Sequence, residues 1–469
     1  WLMGNLENYG GSVSDQWVLD TLEMARINQR SLTVMGAEPA LQTFVGAMPS
    51  TFGTLAKKHL IDKGYQDVSK YLAPQGGWSG LTRPNVLRTD YDGYSYLAQE
   101  FYKSQNYVYG QITDYYCGDV CHEGGQIPAG LLKEDMAYKI LQECMTADKD
   151  AIWMLQVWWE NPMKGVLDGF GEYRTTNVIL IDLAAAHNPK YTNTTTWGSA
   201  EYGGTPWIFS TLDNYGGRAG MHGKLTNMCK LIETAKKTSN YIAGIGMTPE
   251  GTLQNPVMYD LFWEMTWRDT SPNIGAWVTD YAERRYGEAT SGVKSAWSSL
   301  ILSVYKDGSI DGTSVNYCFT SIPKFDYTGG YYVQNYANTT LYNAISSMMK
   351  DFDKYSDNEC YIYDLVDMMR TYLSNLETDY LAVMRNSANA AASSESARQQ
   401  YAKVQEKYME VMLLVDELSS YIKDELVGTW IGRVDVWAED ERTGKYDDYT
   451  IDTMKPTFGG LLISGGSIA

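Results

Sequence analysis

Six short apolar runs, spread between residues 39 and 249, constrain the fold of this 469-residue chain more than any other feature. They are Pro39–Gly46, Tyr107–Thr113, Ala151–Trp159, Asn177–Ala184, Thr205–Asn214 and Tyr241–Pro249. Each is continuously apolar rather than alternating, which is the pattern of parallel strands covered on both faces. Helix-like stretches separate them. Ser14–Gln29 opens on a Ser-Asp cap and carries Trp17, Leu19, Leu22 and Met24 as its apolar residues. Asn255-Pro256 starts a second helix, in which Val257, Met258, Leu261, Phe262 and Met265 recur at helical spacing. Alternating β and α elements predict a parallel sheet joined by crossovers.

A (β/α)8 barrel needs eight strands over roughly 250 residues, and six are visible. Loops after several strands are long, aromatic and Gly-rich, as on the active face of a barrel. The reading is therefore an α/β fold, a (β/α)8 TIM-type barrel incomplete at its N-terminus, with its first two strands expected upstream of Trp1. An open doubly wound sheet is the rival. No Gly-rich phosphate loop opens a first βα unit, which weakens it. After residue 290 the texture becomes helical, with long amphipathic segments at Val293–Tyr305, Leu341–Tyr355, Tyr361–Met384 and Ser393–Asp424. The small, polar run Asn386–Ser394 reads as a connection between helices. The expected division is a barrel over 1–290 and an all-α domain over 291–469, the latter truncated or irregular after Asp440.

Charge and composition exclude several functions. The 57 acidic and 38 basic side chains leave a net charge of −19, the opposite of a nucleic-acid or anionic-membrane footprint. No apolar run approaches the roughly 18 residues of a membrane helix. His59, His122, His187 and His222 are the four histidines, and the six cysteines show no CxxC pair. No metal or organic cofactor is expected. Cys117 and Cys121 lie close enough in sequence to bridge, and a reduced pair fits equally well. With 14 Trp, 37 Tyr and 10 Phe, the chain is rich in flat faces that bear one polar handle and suit stacking on sugar rings.

In a barrel, functional side chains project from the C-terminal ends of strands. The second run leads to Asp114, Asp119, His122 and Glu123, and the third to Glu160. Asp182 ends the fourth run, Asp213 and Asn214 the fifth, and Glu250 the sixth. These groups are expected around one mouth, with Trp78, Trp158, Trp159, Trp207 and Tyr215 as aromatic neighbours. Trp158 and Trp159 are consecutive, so a strand would turn one of them into the core. Carboxylates among aromatic platforms are the equipment of glycoside hydrolysis, which needs one protonated and one ionised carboxyl.

The run Gly246-Met-Thr-Pro-Glu250-Gly-Thr-Leu-Gln254-Asn255, with Trp267-Arg268 beyond it, resembles the α-N-acetylglucosaminidases of glycoside hydrolase family 89. So do Met3-Gly-Asn-Leu6, Gln75-Gly-Gly-Trp78, Trp153-Met-Leu-Gln156-Val-Trp158, Leu180-Ile-Asp182-Leu183 and Leu212-Asp-Asn214-Tyr215-Gly-Gly217. Trp277 to Gly287 fits the segment leading into the family's helical domain. The resemblance implies a small N-terminal domain, a barrel and an all-α C-terminal domain. It implies an exo-acting, retaining enzyme that removes terminal non-reducing α-linked N-acetylglucosamine. Matched by motif, Glu123 is the general acid/base and Glu250 the nucleophile. Trp1, Met3, Trp78, Trp158, Leu183, Leu212 and Tyr215 match positions lining the sugar pocket, and Asn214 is placed to hold a sugar hydroxyl or its own turn. His122 precedes the acid where the family carries Asn or His, and is expected to touch the sugar or orient Glu123.

Two other readings stand beside this one. One is a barrel glycosidase of different sugar specificity; the other is a non-catalytic carbohydrate-binding protein. The expected partner is a glycan ending in α-GlcNAc, as on heparan sulfate or mucin-type chains. That substrate sets an extracellular, periplasmic or lysosomal place of action.

Overall fold

The computed structural model describes residues 15–78, 81–121, 125–212, 221–249, 255–307, 334–391, 394–429, 432, 439–440 and 445–446. Six parallel strands form its central sheet: β1 (Leu41–Gln42), β2 (Tyr115–Cys117), β3 (Ile152–Val157), β4 (Val178–Asp182), β5 (Trp207–Thr211) and β6 (Ile242–Met247). They lie side by side in chain order, every neighbouring pair parallel. Helices α1 (Asp15–Val34), α2 (Ser50–Asp62), α3 (Asp92–Tyr109), α4 (Lys133–Ala147), α5 (Leu225–Thr238) and α6 (Pro256–Trp267) are interspersed with them. A mainly helical part follows: α7 (Ile274–Tyr286), α8 (Ser291–Leu300), α9 (Asn338–Met349), α10 (Glu359–Ala391) and α11 (Glu395–Ser419). This is the wall of a β/α barrel followed by an all-α region.

The two faces of the sheet differ. In register across the strands, Leu41, Tyr116, Trp153 and Val178 share one face, as do Leu180 and Trp207, and all of these are buried. They pack on the helices: Tyr116 meets Tyr102 of α3 edge-on at 5.9 Å, and Phe209 meets Phe262 of α6 at 6.3 Å. Gln42, Cys117, Met154 and Ile179 line up on the opposite face, and each retains exposure. The runs are apolar throughout because both faces are apolar, yet only the helix-facing side is sealed.

One expected strand is displaced. Tyr107–Tyr109 closes α3 instead of opening β2, and Gly110, at φ +78°, ends that helix. Tyr107 is 91% exposed, so its aromatic ring says nothing of a strand there. The expected connection at Asn386–Ser394 is also revised, because α10 continues to Ala391. Alanine-rich sequence sustains a helix unless packing stops it. Cys117 and Cys121 are free thiols. Burial pushes the Cys121 thiol up to about 11.

The helical part is tied down by buried polar contacts. Arg285 of α7 forks onto Asp364 of α10 at 2.6 and 2.8 Å. The Tyr286 hydroxyl donates to the same carboxylate at 2.6 Å and accepts from Trp297 Nε1 at 3.2 Å. A planar guanidinium on a carboxylate supplies two parallel charge-assisted bonds, which fixes orientation as well as proximity.

Candidate active site

All six strands run the same way, so their C-terminal ends share one edge of the sheet. Cys117, Val157, Asp182, Thr211 and Met247 end β2 to β6 there. Of the expected site residues, Trp1, Met3, His122, Glu123, Asn214, Tyr215 and Glu250 lie outside the described residues, and so does the Trp78 side chain. The chain on either side of the loops carrying Glu123 and Glu250 is described, and it is held firmly.

Upstream of Glu123, Asp119 Oδ1 accepts the Gln156 backbone N–H at 2.9 Å, and the Gly118 carbonyl accepts Trp153 Nε1 at 2.8 Å. Both bonds strap the loop after β2 to β3. Downstream, the buried Gln75 donates from Nε2 to the Gln126 carbonyl at 2.8 Å. Gln75 begins the Gln-Gly-Gly-Trp motif, so that motif holds the chain just beyond Glu123.

The Glu250 loop is braced in the same way. Before it, the Thr248 backbone N–H and hydroxyl both donate to the Thr211 carbonyl at 3.0 Å, and the hydroxyl lies 3.2 Å from Ser210 Oγ. After it comes Asn255, at the N-cap position of α6. Asn is a good N-cap residue because its side chain can accept the helix's own free N–H groups. Asn273, Thr290 and Ser394 do this for α7, α8 and α11. Asn255 does not. Its Nδ2 donates to the His222 carbonyl, and its Oδ1 accepts the Tyr305 hydroxyl at 2.9 Å.

Residues 221–223 follow the expected pocket loop around Asn214 and Tyr215. Met221 N–H donates to Thr371 Oγ1 of α10 at 3.3 Å, and His222 and Met221 are both buried. Gly223 has φ +139°, and a side chain there would collide with Met258 Sδ. Asn255 thus joins three things: the exit of the Glu250 loop, the exit of the 213–220 loop, and the helical region through Tyr305.

Trp158, Leu183 and Leu212 each follow directly on the ends of β3, β4 and β5. Leu183 and Leu212 are buried, with Trp158 half-buried. Trp158 and Trp159 depart from expectation. Neither enters the core; their rings stack at 6.1 Å and 16°, with Trp159 80% exposed. Trp207 is corrected from the mouth to the core. It begins β5, stacks on Tyr191 at 4.8 Å and is fully buried. Asp182 is structural: it faces the helices, and its Oδ2 accepts the Tyr202 hydroxyl and the Lys190 N–H, both at 2.7 Å. Burial pushes its carboxyl up to about 6. Sequence reasoning missed Gln75, Thr248, Asn255 and Tyr305 as supports, although the first three lie in or beside quoted motifs.

Fold and strand-end loops together define a β/α-barrel protein whose candidate site lies at the C-terminal mouth of the sheet. Residues 1–269 match the model of the alpha-N-acetylglucosaminidase (NAGLU) tim-barrel domain, and residues 277–453 match that of the alpha-N-acetylglucosaminidase (NAGLU) C-terminal domain. The chain belongs to the α-N-acetylglucosaminidase family, glycoside hydrolase family 89. It is 30% identical over 323 residues to human alpha-N-acetylglucosaminidase, an alignment covering 65% of this chain and 40% of the human protein. A family 89 glycoside hydrolase from Clostridium perfringens, in complex with PUGNAc, superimposes with a TM-score of 0.84 at 27% identity, covering 97% of this chain and 49% of that one. A form of the Clostridium perfringens protein with two glutamates changed to glutamine, in complex with its substrate GlcNAc-α-1,4-galactose, gives a TM-score of 0.84 at 26% identity and the same coverage. The chain spans half or less of the length of these relatives.

Proposed function

We propose that this chain carries the catalytic machinery of a retaining exo-glycosidase that removes terminal, non-reducing α-linked N-acetylglucosamine from glycans. The observation that supports the proposal is the hydrogen bonding of the chain on either side of both glutamates, by Asp119 and Gln75 around Glu123 and by Thr248 and Asn255 around Glu250. Acid–base and nucleophilic groups must be held within fractions of an ångström of their working positions, so their flanks should be rigid. The Clostridium perfringens form with two glutamates changed to glutamine, captured with its substrate, supports a pair of essential carboxyls.

A retaining mechanism requires two carboxyls about 5–5.5 Å apart across the scissile bond, and this reading gives those roles to Glu123 and Glu250. Glu123 protonates the leaving oxygen while Glu250 attacks the anomeric carbon. Water, deprotonated by Glu123, then releases the sugar with its anomeric configuration kept. Trp1, Met3, Trp78, His122, Trp158, Leu183, Leu212, Asn214 and Tyr215 surround the terminal sugar. We assign the barrel to 1–290 and the helical domain to 291–469; the two family models also give a barrel domain followed by a C-terminal domain, with the boundary between them earlier, at 270–276. A glycan substrate implies an extracellular, periplasmic or lysosomal place of action. Among the described residues no helix is long and apolar enough to cross a membrane.

The test is hydrolysis of a chromogenic α-N-acetylglucosaminide, with the first-released anomer followed by NMR. Turnover that yields the α-anomer first and disappears in Glu250→Ala is expected. Release of the β-anomer first refutes retention, and full activity in Glu250→Ala refutes the nucleophile.

A further inference from the structure

Trp159 is the feature that the family reading does not absorb. Its indole is 80% exposed at the strand-end edge of the sheet, immediately beyond Trp158. Its backbone adopts φ +47°, the left-handed region that a bulky residue rarely occupies. Two backbone bonds hold it there, from Trp158 N–H to the Asn161 carbonyl at 3.3 Å and from Asn161 N–H to the Trp158 carbonyl at 2.9 Å. Glycine would take this conformation without strain, so the backbone alone gives no reason for tryptophan. One indole face stacks on Trp158 and the remainder of the side chain meets solvent.

We infer that Trp159 is a stacking platform for the sugar on the leaving-group side of the scissile bond, an inference that rests on the glycosidase reading above. An exo-acting pocket encloses the terminal residue, so the rest of the glycan leaves through the mouth. Trp158 is assigned to the terminal sugar, and Trp159 lies one position further from the strand, stacked on it. A pyranose presents a face of C–H groups, and an indole is the flat, polarisable surface that complements it. The tight loop between Trp158 and Asn161 presents that surface pre-ordered, which lowers the entropy lost when the second ring docks. Trp159 is thereby a determinant of leaving-group specificity: glycans with a second pyranose are preferred over simple alkyl glycosides.

The experiment compares kcat/KM for GlcNAc-α-1,4-galactose and for methyl α-N-acetylglucosaminide in the wild-type protein, Trp159→Gly and Trp159→Phe. The ratio of the disaccharide to the methyl glycoside is expected to fall about tenfold in Trp159→Gly and to recover in large part in Trp159→Phe, which keeps an aromatic face. The thermal midpoint of Trp159→Gly is expected to equal or exceed that of the wild type, because glycine relieves the left-handed strain. An unchanged ratio in Trp159→Gly overturns the inference while leaving the glycosidase reading intact. If the wild-type protein cleaves neither substrate, the glycosidase reading falls and the inference falls with it.

Discussion

Replacing Asn255 with alanine removes two buried hydrogen bonds at once, the one given to the His222 carbonyl and the one received from Tyr305. Asn255, His222 and Tyr305 are all buried, so water has little access to restore either bond. A buried hydrogen bond is worth about 0.5–1.5 kcal/mol net, and more when a partner is left in a dry site. Two bonds plus the missing side-chain volume give a loss of about 2–4 kcal/mol for Asn255→Ala. Tyr305→Phe breaks one of the two bonds and should cost about 1 kcal/mol. Equilibrium urea unfolding reads both losses as shifts of the midpoint. Because the two side chains share a bond, the double variant should be less destabilised than the sum of the single ones, by about 0.5–1.5 kcal/mol. The catalytic effect should be larger than the stability effect suggests. Asn255 lies five residues after Glu250, and a displacement of about 1 Å at a reacting group can lower the rate about 100-fold. Asn255→Ala should therefore lower kcat more than it raises KM. Additive single losses, or an Asn255→Ala protein with undiminished kcat, would refute the view that this residue couples the chain after Glu250 to the helical region.

Further outcomes follow from buried charge. Glu377 of α10 is buried, its Oε2 has no hydrogen-bond partner among the described residues, and burial pushes its carboxyl up to about 7 from 4.5. A folded-state value above the unfolded one means that its stabilising contribution is complete below about pH 4.5 and is lost as the pH rises through about 7. Glu377→Gln should therefore stabilise the protein at pH 7.5, by on the order of 2 kcal/mol, and flatten the stability profile between pH 4.5 and 7; an unchanged urea-midpoint profile would contradict this. Asp182, held up at about 6, acts in the same direction between about pH 4 and 6, and Asp182→Asn should flatten that window while keeping an acceptor for Tyr202. Asp364→Ala leaves the half-buried Arg285 without its carboxylate and should cost about 3–5 kcal/mol, read by thermal unfolding; a loss under about 1 kcal/mol would mean that the pair does not anchor α7 to α10.

Much of the fold was readable in the sequence wherever local chemistry and tertiary environment agree. The runs at Ala151, Asn177, Thr205 and Tyr241 became β3 to β6, because long uninterrupted stretches of β-branched and aromatic residues have few other stable homes. Asn255-Pro256 opened a helix as read, since proline pre-sets the first helical turn. The ordered motifs marked the family and, with it, the candidate glutamates.

Where the same residue type suits two environments, long-range packing settles which one it takes. Tyr107–Tyr109 has strand-like composition, yet it finishes α3 because Tyr102, one face of that helix, packs on β2. Trp207 and Trp159 are the same residue at opposite ends of parallel strands. One is sealed against Tyr191 and the other stands in solvent, because helices cover the flank of the sheet and not its C-terminal edge. Asn255 sits at the N-cap position of α6, but its side chain bonds to His222 and Tyr305, 33 and 50 residues away in the chain. Periodicity and motif order are local properties, so most of the elements and the family could be read before the chain is folded. Burial, stacking and long-range hydrogen bonds depend on which surfaces meet, and the meeting of those surfaces is a property of the folded chain alone.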